Sequence, residues 1–258
     1  MLQDLGKPPS FLTNVMAIGA GYVMNLFIPR GGEVARAGVV RKSDDIPMDK
    51  ALGTIIAERV LDLILLLFIT AVAFFLAADE LLPFFESALE NIRNGLGWQQ
   101  LMIYSIAIVT FILILIFIAR KLKFFKKLKE FVLGLKDGFM TIWTMEKKGL
   151  YLAHTFFIWI MYVLMFYVCF LAMGDFENIQ LPAVLSAFVA GSFSVAFING
   201  GFGAYPYLIA QVLLLFGYSE TIGTSIGWLL WLSQTLLVIV YGSLSLLLIS
   251  SSKRLFGK

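Results

Sequence analysis

Apolar residues run along this chain in long unbroken blocks, and polar residues collect in the gaps between them. A continuous apolar run of 18 or more residues is the signature of a bilayer-spanning helix, since about 20 residues match a hydrocarbon core of about 30 Å. Four stretches qualify: 51–78, 101–119, 150–173 and 222–250. Their continuity predicts helices, because barrel strands alternate instead. Two further blocks are each interrupted by glycine. The first, Phe11–Ile28, stops at Pro29-Arg30-Gly31-Gly32-Glu33 and resumes to about residue 41; the second, Leu181–Ile198, stops at Asn199-Gly200-Gly201-Phe202-Gly203 and resumes as Ala204–Gly217. That last piece has 14 residues, about 21 Å of helix and too short for the bilayer core. Stretches 11–41 and 181–218 are therefore expected to be re-entrant helical hairpins, with irregular backbone tolerated where it is buried or lines a wet cavity. An offset of 170 residues lays Phe27–Gly31 on Phe197–Gly201, Gly21 on Gly191, and span 51–78 on 221–248. Interrupted helices in matching positions of two halves are what an inverted repeat gives; two unrelated glycine-rich breaks are the alternative.

Charge sets an orientation. Pro29–Lys50 holds Arg30, Arg36, Arg41, Lys42 and Lys50; Arg120–Lys148 holds nine Lys/Arg; and Lys253, Arg254 and Lys258 close the chain. Asp79–Gln100, by contrast, has four acids and only Arg93, and Gly174–Gln180 has Asp175 and Glu177. The positive-inside rule puts the basic segments and the C-terminus in the cytoplasm and both acidic loops outside. Within 121–147, Phe125, Leu128, Val132, Leu135, Phe139 and Ile142 recur at helical spacing among lysines, which predicts an amphipathic helix on the inner leaflet.

Composition narrows the class. Hydrophobic residues make up 60% and charged ones 14%, against about 25% charged in soluble domains, so a water-soluble globule is excluded. A formal charge of +3 is too small for a nucleic-acid binder. One cysteine, Cys169, and one histidine, His154, exclude a disulfide framework and a multi-Cys/His metal site. Both are expected to be packing residues. No cofactor motif is present: Gly-Gly-Phe-Gly-Ala follows no strand and is not a dinucleotide fingerprint. With no Ser/His/Asp or Cys/His set to assemble, the expectation is a protein without catalysis of its own.

Three polar clusters stand out. Around the first break, Arg30 and Arg36 flank a helix N-terminus, a favourable setting for phosphate, and Glu33 suits the helix dipole or a cationic headgroup. A plain orienting loop would use the same charges. In span 51–78, Glu58-Arg59-x-x-Asp62 places two carboxylates on one face with Arg59 in reach of Asp62, so a further cation is needed for Glu58. Each group costs about 2.5–3.5 kcal/mol at depth and should face the bundle interior, either as a headgroup path or as an ion-pair cluster pinning the helix to Arg30 or Arg36. At the second break, Asn199, Gly200, Gly201, Gly203 and Tyr205 permit close backbone approach and half-helix ends aimed at a polar substrate, or else a simple helix break.

The run Asn25-x-x-x-Pro29-x-Gly31-Gly32-Glu33-x-x-Arg36, with Glu58-Arg59-x-x-Asp62 some 20 residues on and Gly-Gly-Phe-Gly-Ala-Tyr-Pro at 200–206, resembles the lysylphosphatidylglycerol synthase-type transmembrane family. This family, also called flippase-like domain proteins, includes the membrane half of the bacterial multiple peptide resistance factor. The resemblance spans nearly the whole chain. It implies an all-α integral membrane bundle with re-entrant helices, and lipid translocation or a related lipid role in a bacterial or archaeal inner membrane. Membrane lipids, anionic phospholipid foremost, are the implied partners, with a homo-oligomer or a separate soluble transferase as further possibilities. Family members carry additional helices ahead of the Asn-x-x-x-Pro motif, so an N-terminally shortened chain is expected. No aminoacyl-transfer domain follows Ser250, so synthase activity is not carried over with the family name.

Overall fold

The computed structural model describes residues 10–95, 100, 102, 140, 142–172 and 179–251. Among these the chain is wholly helical: α1 (Phe11–Phe27), α2 (Gly31–Asp44), α3 (Met48–Leu76), α4 (Ala78–Gly95), α5 (Lys148–Ala172), α6 (Leu181–Phe197), a 3-10 turn Asn199–Gly201, α7 (Ala204–Leu214) and α8 (Glu220–Ser251). Three helices, α3, α5 and α8, are long and apolar enough to cross a membrane. They extend the expected spans by two or three residues at their N-terminal ends. The expected span 101–119, most of the amphipathic stretch 121–147, the acidic segment Gly174–Gln180 up to residue 178, and the basic tail beyond Ser251 lie outside the described residues. From the amphipathic stretch, Ile142 is helical and buried against Ala57, Leu61 and Leu65 of α3.

One expectation is corrected. Asp79–Gln100 is not an acidic loop: residues 78–95 form α4, with Pro83 inside it. Leu81, Leu82, Phe84, Phe85 and Leu89 fall on one face and Asp79, Glu86, Ser87 and Glu90 on the other, a helical period that the count of acids concealed. α4 belongs to a separate compact unit, 78–137.

Ser10 opens α1 by accepting from the Thr13 backbone N–H at 3.0 Å, and Pro182 sits in the first turn of α6, where its missing N–H costs nothing. Both apolar blocks then break in the same way. The helix ends on an extended residue, Ile28 (φ −126°, ψ 114°) or Ile198 (φ −117°, ψ 119°), whose N–H still reaches Met24 or Ser194 at 2.9 Å. Next comes a left-handed residue, Arg30 (φ 60°) or Gly200 (φ 69°), and then Gly31 or Gly201 donates back to Ile28 or Ile198 at 2.9 and 2.8 Å. The offset is 170 at every one of these positions.

Beyond the break the register moves. The turn after Gly200 holds three extra residues, so α2 matches α7 at an offset of 173, and α3 matches α8, start on start, at 172. This corrects the uniform 170 expected for the spans. With the helix starts superposed, buried Ala37 and Val40 fall on buried Ala210 and Leu213, and buried Ala51, Thr54 and Ile55 fall on buried Gly223, Ile226 and Gly227.

Packing follows the same scheme. Within each half the three helices stack in order, α1 on α2 on α3 and α6 on α7 on α8. Across the halves, the first helix of each lies against the last helix of the other, α1 on α8 and α6 on α3. The α1–α8 contact is close because it is built from small residues: a Cβ on Gly19 would stand 2.1 Å from Ser245 Oγ, and one on Gly242 2.5 Å from Val23 Cβ. The Tyr241 hydroxyl donates to the Val15 carbonyl across this seam. The largest core lies in the second half, where Phe166 and Phe170 of α5 meet Val184, Phe188, Tyr205, Ile209, Leu213, Ile226 and Leu230.

Candidate functional site

The first break is held by side chains as well as backbone. Asn25 Oδ1 accepts from the Gly32 N–H at 2.7 Å, satisfying one of the free donors at the α2 N-terminus from the preceding helix. Gly32 has to be glycine, since a Cβ there would lie 2.4 Å from the Gly21 carbonyl oxygen and 2.6 Å from Asn25 Nδ2. These contacts fold α2 back along α1 and carry Arg36, one turn into α2, onto the flank of α3.

There Arg36 meets Glu58 as a two-pronged pair, Nη1 to Oε2 at 2.5 Å and Nη2 to Oε1 at 2.9 Å. The further cation that Glu58 requires is thus Arg36, not Arg30. One turn on, Arg59 Nη2 stands 3.0 Å from Asp62 Oδ2, and Asp62 Oδ1 accepts from the Trp159 indole N–H of α5 at 3.1 Å. Glu58 and Asp62 lie about 15 and 21 Å along α3 from Met48, within an otherwise apolar helix. The two pairs differ in openness: Arg36 and Glu58 are 23% and 24% exposed, whereas Arg59 is 59% exposed. Tyr22 of α1 and Tyr151 of α5 stand near enough to Arg36 to feel its charge.

Arg30 and Glu33 sit apart from this cluster. Arg30 is exposed at the turn and Glu33 half-buried in the first turn of α2, and neither has an ion-pair partner among the described residues. Arg36 does not stand open to a phosphate, as the sequence suggested it would, because Glu58 occupies its fork.

At the second break, Gly200, Gly201 and Gly203 all have positive φ (69°, 64° and 73°), the left-handed region that glycine enters without strain. The Gly200 carbonyl accepts from the Trp231 indole N–H at 2.7 Å, which ties the turn to α8. Phe202 is exposed and packs edge-on to Trp228 and Trp231. Asn199 is exposed; Tyr205 is buried, its hydroxyl accepting from Gln234 Nε2 at 3.1 Å. Gly191 makes room for that ring, since a Cβ would lie 2.9 Å from it.

Among the described residues no hydrogen bond or ion pair joins the two polar centres. A run of aromatic rings lies between them: Trp159 to Phe188 at 6.1 Å, Phe188 to Phe166 at 5.3 Å and Phe166 to Tyr205 at 6.3 Å. α1 also touches the Asn199–Gly201 turn. Trp159, Asn25, Gln234 and Gly191 were not among the expected site residues. Asn25 was visible as the head of the first motif, and its role as a cap for a helix seven residues on shows only in three dimensions. Nothing in the local pattern marks Trp159 or Gln234.

Fold and site together define a polytopic helical membrane protein with two broken hairpins and an ion-paired charge cluster on an apolar helix. The model of the lysylphosphatidylglycerol synthase TM region family matches residues 1–242, and the chain belongs to that family. No curated protein and no solved structure matches it.

Proposed function

We propose that this protein carries phospholipid headgroups across the cytoplasmic membrane as a flippase-like translocase, with no catalysis of its own, and with its C-terminus and the basic segments in the cytoplasm. The observation that supports it is the paired charge set on α3. Three ionisable groups, Glu58, Arg59 and Asp62, are held within an apolar helix at a cost of about 2.5–3.5 kcal/mol each before pairing, Arg36 of α2 pairs with the first, and Arg59 remains open. An ion-pair strut alone has no need of an exposed guanidinium. Arg30 points the same way: it keeps a left-handed backbone where the matching break has glycine, and strain retained at a charged residue is a mark of use. Headgroups would be drawn in past Arg30 and Glu33, held at Arg59, and released when the Arg36–Glu58 pair changes partners. The second break, Asn199 to Tyr205, would serve as the facing wall, and anionic phospholipid is the expected cargo.

The test is headgroup translocation in liposomes containing purified protein, across a panel of lipids. Glu58→Gln keeps shape and hydrogen bonding but removes the charge, and should slow translocation at least about tenfold, the effect of losing one charge-assisted contact. Wild-type rates in that variant, with Arg59→Ala lowering only expression, would make the cluster structural and end this proposal. A second reading draws on the family's synthase name: a membrane subunit for a separate soluble transferase. Lipid aminoacylation that depends on this chain when both are present would favour it.

A further inference from the structure

An apolar groove of about 390 Å³ runs between α3, α5 and α6, walled by Leu65 and Ile69, by Phe156, Trp159 and Val163, and by Val184. Its size falls within the usual range for small-molecule sites, about 300–1,000 Å³. Its outer walls are open, with Phe68 62% and Ile160 60% exposed. What distinguishes it from ordinary lipid-facing surface is its inner end. Trp159 lines the groove with its ring and donates its indole N–H to Asp62, and Asp62 in turn holds Arg59. Leu65 and Ile69 lie one and two turns beyond Asp62 on the same side of α3. The apolar slot thus shares Trp159 with the Arg59–Asp62 pair, and the Arg59 side chain is 59% exposed, with Nη2 on Asp62.

We propose that this groove is an acyl-chain site for an anionic phospholipid, the tail lying along α3 and α5 and the phosphate received by the open side of Arg59. The proposal rests on the lipid-handling reading above and makes it specific to one place. The occupant enters from the leaflet bordering the α3 N-terminus, because only there does a tail pointing along α3 toward Leu76 leave its headgroup at Arg59. Trp159 serves as the joint between tail and headgroup, its ring against the chain and its N–H keeping Asp62 from repelling the phosphate.

The experiment uses full-length protein in phosphatidylcholine nanodiscs doped with a phosphatidylglycerol or a phosphatidylcholine probe, each with a photoreactive diazirine in one acyl chain, followed by mapping of adducts. The expected result is labelling of Phe68, Ile69 and residues 156–163 that is several-fold stronger for the phosphatidylglycerol probe. Arg59→Gln should erase that preference, a loss of about tenfold, and leave phosphatidylcholine labelling unchanged. Val163→Trp should fill the slot and lower labelling by both probes. Equal labelling by the two probes in the wild-type protein overturns the proposal without recourse to any variant, since a plain lipid-facing surface takes either tail; so do adducts that fall away from α3 and α5. Because labelling needs no transport, selective labelling in a protein that fails to translocate would count against translocation and not against this site. Unselective labelling in a protein that translocates would do the reverse.

Discussion

Single residues decide whether the first hairpin closes. Arg30 holds φ 60° without the freedom of glycine, and a left-handed L-residue is about 1 kcal/mol or more above its relaxed state. Arg30→Gly should therefore raise stability by about 1 kcal/mol, read as a higher unfolding temperature in detergent, while weakening headgroup capture in the liposome assay. Asn25 acts in the opposite sense. Asn25→Ala leaves the Gly32 N–H without its partner and should cost about 1–2 kcal/mol, a loss in the range for removing a helix N-terminal cap. Proteolysis in the loop before α2 should rise with it. Asn25→Asp keeps the acceptor and should hold stability near wild type.

At the scale of elements, α7 lies against α8 because two glycines let it. A Cβ on Gly227 would stand 2.4 Å from Pro206 Cα, and one on Gly223 2.7 Å from Ala210 Cα, both backbone atoms that cannot swing aside. Gly227→Ala should cost about 1–3 kcal/mol by overpacking, whereas Gly53→Ala, where nothing lies within 4 Å, should be tolerated. A thermal unfolding comparison of the two variants checks both. These elements were largely legible beforehand. Apolar runs and glycine breaks place α1 to α3 and α5 to α8 within a few residues, because burial and helix length act locally. Two things were not legible. α4 was hidden because its acids, counted together, resemble a loop, while their period is helical. The pairing of Arg36 with Glu58 was foreseeable only as a need for some cation, since the choice between Arg30 and Arg36 depends on how far α2 folds back, and that depends on Asn25 and Gly21 twenty to forty residues from Glu58. The Trp159 bond to Asp62 joins residues 97 apart and left no trace in either local pattern.

At the scale of the whole molecule, the halves are interlocked: α1 needs α8 and α6 needs α3. Each half buries a cluster of its own, and the exchanged helices add the contacts between halves. Chains cut at residue 137 and co-expressed as 1–137 and 138–258 should co-purify as one complex, and either fragment alone should be degraded. Independent survival of 138–258 would show that the exchange of partners is dispensable.

The matched registers have a consequence for the charges. With helix start laid on helix start, Arg36 falls on Ile209 and Glu58 on Leu230, both fully buried members of one apolar cluster, and Asp62 falls on Gln234, whose partner is the neutral Tyr205. One copy of the motif is thus a hydrocarbon edition of the other. The second copy stands without ions at these positions, so the frame itself does not require the charges. Writing the second copy's residues into the first, as Arg36→Ile with Glu58→Leu, should yield a protein that folds as well as the parent, since apolar replacement of an ion pair is often neutral or stabilising, and that moves no lipid at all.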